Sequence, residues 1–64
     1  MKVNGYEIEA FADLEGANLM GAGLSGTDLE RSNLRNSNLR GANLSYANLK
    51  KANLYNANLK GTIF

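Results

Sequence analysis

The chain has 64 residues, a net charge of +1 and no Cys, His, Pro or Trp. That length holds one small core. The missing Cys and His remove disulfides, thiolate or imidazole metal sites and the usual nucleophile–base pairs of covalent catalysis. No apolar run is long enough to span a bilayer and the N-terminus lacks a signal-peptide core, so a cytoplasmic location without a membrane partner is the expectation.

Residues 1–11 open with Asn4-Gly5, a tight-turn dipeptide. Tyr6, Ile8 and Ala10 then alternate with Glu7 and Glu9, as in a short half-buried strand. This segment is read as an N-terminal cap with Tyr6, Ile8 and Phe11 laid over whatever follows.

From residue 12 onward the chain obeys one rule. All ten leucines stand five apart, from Leu14 to Leu59. Two positions before each stands Ala, Ser or Thr, and directly before it Asn or Asp, with Gly23 the one exception. A period of five makes no stripe on a helix, because five steps of about 100° spiral around the cylinder. It makes no face on a straight strand either, because five is odd and side chains alternate. The pattern works only if the chain turns a corner in every unit. Gly16, Gly21, Gly26, Asn36, Gly41, Asn56 and Gly61 follow the leucines with residues suited to turns. With corners of about 90°, four units close a circuit of twenty residues, and the next circuit stacks on it at roughly 4.8 Å. The expected fold is all-β, a parallel solenoid of about two and a half coils over residues 12–64, cored by leucine.

Units such as Ala17-Asn18-Leu19-Met20-Gly21, Ala42-Asn43-Leu44-Ser45-Tyr46 and Ala57-Asn58-Leu59-Lys60-Gly61 resemble the A-(D/N)-L-x-x unit of the pentapeptide-repeat family. The resemblance runs from Ala12 to Gly61 with a partial unit, Thr62-Ile63-Phe64, after it. It implies a right-handed quadrilateral β-helix with four units per coil. It also implies that end-to-end dimers through aromatic termini occur, and that some relatives act on DNA gyrase as acidic duplex mimics.

Stacking residue i on i+20 yields inner columns Leu14/Leu34/Leu54, Leu19/Leu39/Leu59, Leu24/Leu44/Phe64 and Leu29/Leu49. Phe64 is thereby expected to close the bottom of the stack. The short side chains of Asn18, Asn38, Asn58, Asp28 and Asn48 are expected to bond local backbone at the corners. Ser32, Ser37, Thr27 and Thr62 replace the small inward alanine and fit if their hydroxyls reach a backbone group. Outward columns predict Glu15 near Arg35 and Tyr55, and Glu30 near Lys50.

The charges divide along the chain. All six acids lie in residues 1–30, where Lys2 leaves −5, and only six bases follow, giving +6. Those bases fall on three of the four predicted faces, with Arg31, Lys50 and Lys51 the one cluster; nucleic acid is not the expected partner. Asp13 with Glu15 and Asp28 with Glu30 are outward carboxylates without a concave wall, and Ser32 and Ser37 point inward with no base. The chain is therefore expected to be no enzyme, with no catalytic, cofactor-binding or metal-binding residue. The expected function is a small structural or protein-interaction module with an unidentified protein partner or a homodimer through Ile63 and Phe64. The alternative is a DNA gyrase- or nucleic-acid-binding protein, and head-to-tail stacking of the −5 end on the +6 end is a further arrangement.

Overall fold

The computed structural model describes residues 1–64. Lys2–Val3 (β1) and Tyr6–Glu7 (β2) form an antiparallel hairpin, with Lys2 opposite Glu7 and Val3 opposite Tyr6. Asn4 and Gly5 turn it with φ of 53° and 85°. Two consecutive left-handed residues make a type I′ turn, whose twist matches that of the strands, and Asn-Gly is the dipeptide that tolerates it best.

Beyond the hairpin the chain coils. The residue before each leucine bridges in parallel to its equivalent twenty residues on, from Asp13 with Asn33 to Asn43 with Ile63. Four units therefore make one circuit, as the spacing predicts. Around each bridge the backbone alternates direction: Leu14 N–H donates to Asn33 O at 2.7 Å and Asn33 N–H donates to Ala12 O at 2.8 Å. Corner residues join the same ladder, Gly16 N–H donating to Arg35 O at 2.8 Å. The result is a four-sided parallel β-helix about 22 Å across.

Each corner is a β-turn. The residue three after a leucine donates its N–H to that leucine's carbonyl, as Ala17 does to Leu14 at 3.0 Å. The residue before it has positive φ at every fifth position from Phe11 to Gly61, the third place of a type II turn. The first corner, Glu9 to Ala12, already belongs to this ladder: Ala12 N–H donates to Glu9 O at 3.2 Å and Phe11 N–H to Glu30 O at 2.8 Å.

The Asn or Asp before leucine holds the corner from outside. Its Oδ1 accepts the N–H two residues on at 3.0–3.2 Å, in all nine units that carry one. Gly23 leaves Ser25 N–H without this bond. A Cβ at Gly23 meets nothing within 4 Å and its φ is not positive. Gly23→Asn is therefore expected to add about 1 kcal/mol of stability, from the restored bond and the stiffer unfolded chain. Urea titration checks this, and an unchanged midpoint would show that the bond contributes nothing.

Leucines fill the axis. Leu14 to Leu44 are at most 3% exposed, whereas Leu49 and Leu54 are half-buried and Leu59 is 37% exposed. The gradient follows from the stacking, because each leucine needs a coil on both sides and the last coil has one. The other end is sealed by the hairpin. Ile8 is buried, and Val3 and Tyr6 pack against the core. Asn18 N–H donates to the Tyr6 hydroxyl at 3.4 Å, and Asn4 Nδ2 donates to Asn18 O at 3.3 Å. The Met1 ammonium lies on the Glu7 carboxylate and holds that carboxyl below its usual range.

Two aromatic residues are not where the sequence suggests. Phe11 does not cover the first coil. It occupies a left-handed corner (φ 65°) that turns its side chain outward, and it is 69% exposed. Phe64 does not close the far end: with no coil below to press it inward, it is 64% exposed.

Candidate interaction surfaces

The molecule has no cavity or cleft of ligand size, since leucines occupy its axis. Nowhere do three acids converge as metal ligands. Asp13 and Asp28 are engaged already: their Oδ1 atoms accept the N–H of Glu15 and Glu30 and, at 3.4 and 3.3 Å, the amides of Asn33 and Asn48 one coil below. Ser32 and Ser37 are 1% exposed, and neither hydroxyl has a hydrogen-bond partner. The threonines differ: Thr27 Oγ1 donates to Leu24 O at 2.8 Å and Thr62 Oγ1 to Leu39 O at 2.7 Å. No acid or base stands behind either serine, so neither carries chemistry.

What varies from unit to unit faces outward. Asp13 and Glu15 stand at the top of columns that continue through Asn33 and Arg35 to Asn53 and Tyr55, Asp28 and Glu30 stand one coil above Asn48 and Lys50, and Arg31 and Arg40 stand one coil above Lys51 and Lys60. The expected pairs Glu15–Arg35 and Glu30–Lys50 do not form. Arg35 instead lies 4.9 Å over the Tyr55 ring of the next coil, and Glu30 pairs with adjacent Arg31 at 3.9 Å. Both outcomes have the same cause: long exposed side chains gain little from an ion pair in water and settle on the nearer partner. The lysines make no ion pair at all.

Four corners are turned by residues that sequence reasoning misses: Phe11, Arg31, Tyr46 and Lys51 all have φ near +60°. Counting in fives from Gly16 finds each of them. Phe11, Arg31 and Lys51 form one column, and none of the three is Gly or Asn. A left-handed L-residue costs about 1–2 kcal/mol relative to glycine, so this corner holds a stacked cation pair against both backbone preference and mutual repulsion.

The C-terminal end face combines Leu59, Ile63 (54% exposed) and Phe64 with the half-buried Leu49 and Leu54. Tyr55 (66%) and Tyr46 (94%) stand at its rim.

The family model for pentapeptide repeats matches residues 10–36 and 24–61, in eight copies. The chain belongs to the pentapeptide-repeat family. Its coil is the right-handed quadrilateral β-helix of that family. Among solved structures, the chain is similar to the pentapeptide-repeat protein Rfr23 from the cyanobacterium Cyanothece 51142, with 49% identity and a TM-score of 0.78 over 80% of this chain. It spans 35% of that protein's length. It is also similar to alr5209, a pentapeptide-repeat protein from Nostoc Pcc 7120, with 36% identity over 81% of this chain and 60% of that one, at a TM-score of 0.38. No curated protein matches the sequence. In this pentapeptide-repeat chain no helix is long and apolar enough to cross a membrane.

Proposed function

We propose that this pentapeptide-repeat protein is a non-enzymatic, cytoplasmic interaction module that works through the C-terminal end face of its coil. The observation that carries the reading is the contrast between the two ends. The hairpin seals the first coil, while the last leaves Leu59, Ile63 and Phe64 in water. Outside the ends, the repeated residues are scaffold: inward leucines, corner glycines and asparagines, and amides spent on the backbone.

The simplest partner is a second copy. Because the hairpin blocks the opposite end, head-to-tail stacking is disfavoured and the contact is tail to tail, an isologous pair that closes on itself. Such a pair brings two sets of Lys50, Lys51 and Lys60 together, so added salt strengthens it by screening their repulsion. Sedimentation velocity tests this. The 64-residue chain is expected to dimerise with a dissociation constant of roughly 0.1–1 mM, lower at 0.5 M than at 0.05 M salt. Phe64→Glu weakens the pair at least about tenfold by placing a carboxylate in the contact. A parent that stays monomeric at about 1 mM in high salt rejects self-association.

A further inference from the structure

We infer that the same end face docks, as a monomer, on an anionic lipid bilayer, with Leu59, Ile63 and Phe64 entering the interface and Lys50, Lys51 and Lys60 ringing them. The inference rests on the reading of this end as the working surface and names what it meets. Bilayer docking and the tail-to-tail pair use the same face and exclude one another.

An apolar tip inside a basic rim matches the two forces that hold a protein on a membrane surface: burial of apolar side chains in the headgroup boundary and attraction to anionic lipid. The apolar part is exposed at the very end of the stack, where no coil covers it. Each of the three lysines is the last residue of its column and makes no ion pair within the molecule. Arg31, Arg35 and Arg40 sit one coil above, at roughly 4.8 Å. No acid occurs after Glu30. Asp13 and Glu15 lie two coils up, at roughly 10 Å, about one Debye length in physiological salt, and Glu30, one coil above Lys50, is engaged with Arg31. Net charge thus changes from acidic to basic along the axis, and the apolar end is the basic one. Tyr55, and Tyr46 at a corner, stand at the height of that rim, the level at which tyrosine settles in a membrane interface.

The Arg31–Lys51 corner points the same way. Two cations stack one coil apart, both in the left-handed backbone that glycine adopts freely. Their mutual repulsion, which Glu30 beside Arg31 at 3.9 Å offsets in part, is relieved further by an anion at the corner. A second copy supplies no anion, because its own lysines arrive first. Nucleic acid supplies phosphates but leaves Leu59, Ile63 and Phe64 without a role, and it meets cations spread over three faces rather than one stripe. The sequence excludes a spanning segment; docking at the surface needs none.

Flotation of the 64-residue chain with vesicles tests the inference, using phosphatidylcholine with about 30% phosphatidylserine against phosphatidylcholine alone. The expected result is binding to the anionic vesicles at 0.1 M salt, at least about tenfold weaker on the neutral ones, and about tenfold weaker again at 0.5 M salt. This salt dependence has the opposite sign to that of the dimer, so the two readings fail separately. Phe64→Ser lowers vesicle binding severalfold without changing the midpoint of urea unfolding, since the side chain is already exposed. Lys51→Gly lowers binding about fivefold, one cation's share, while raising that midpoint; a variant that merely misfolds moves both down. Equal binding to both vesicle types, or none at about 1 mM lipid, overturns the inference. So does binding to a single-stranded 20-mer of DNA that displaces the vesicles and is unaffected by Phe64→Ser, which assigns the cations to nucleic acid instead.

Discussion

Leu34→Ala is expected to remove about half or more of the protein's stability, and Leu59→Ala to leave most of it in place. Leu34 is fully buried on the middle coil, between Leu14 and Leu54 of the same column. Truncating such a leucine removes its transfer energy and leaves a cavity, at about 3–5 kcal/mol. A chain of this length has about 3–10 kcal/mol to lose. The ladder restricts relaxation, because neighbouring coils are fixed by hydrogen bonds on all four faces and cannot collapse into the void. Leu59 is already 37% exposed and has no coil below it, so its truncation costs about 1 kcal/mol or less. Urea unfolding followed by circular dichroism separates the two. Equal losses at both positions would contradict a core that is built coil by coil.

Ser32→Ala together with Ser37→Ala is expected to stabilise the protein by about 1–3 kcal/mol, raising Tm by about 4–20 °C. Both hydroxyls are sealed in the middle coil without a partner. In seven of the other eight units the same inward place is held by alanine, so the site accepts a methyl group. Removing an orphaned buried hydroxyl recovers its desolvation penalty and gives up no bond. Thr27→Ala is the control. Its hydroxyl does reach Leu24 O, so that variant loses about 1 kcal/mol. A fall in Tm for the double serine variant would reveal that the two hydroxyls are satisfied after all.

The coil was legible because it rests on one arithmetic rule. The leucine spacing dictates a corner per unit, the corner dictates four units per circuit, and the bridges from Asp13–Asn33 to Asn43–Ile63 follow. The bonds from the Asn and Asp side chains were legible too, since such side chains bond the N–H two residues on wherever the backbone turns. What was not legible lies where the rule meets an end or a long side chain. Phe11 looked like a capping aromatic by composition, yet its place in the count makes it a corner. Phe64 sits in an inward column, but position alone does not bury a residue without a coil beneath it. Arg31, Tyr46 and Lys51 were missed as turn residues because composition favours Gly and Asn there, while the ladder on both sides holds whatever residue occupies the corner. Arg35 had a choice between Glu15 above and Tyr55 below, and register cannot rank two exposed contacts. The candidate surface was readable in part: the charge split and the terminal aromatic are visible in the sequence. The sealing of one end by Val3, Tyr6 and Ile8, which gives the other its meaning, emerges only when the hairpin is placed.

The twenty-residue step of the ladder also sets how this chain can fold. Every interstrand bond of the coil joins residues about twenty apart in a 64-residue chain, and such non-local pairing is the topology that folds slowly. The turns alone are too short to persist. A full circuit must close, at its loop-closure penalty, before the first leucine column gains a second member. The slow event is therefore the meeting of the first two coils, and the third then adds to a template that already exists.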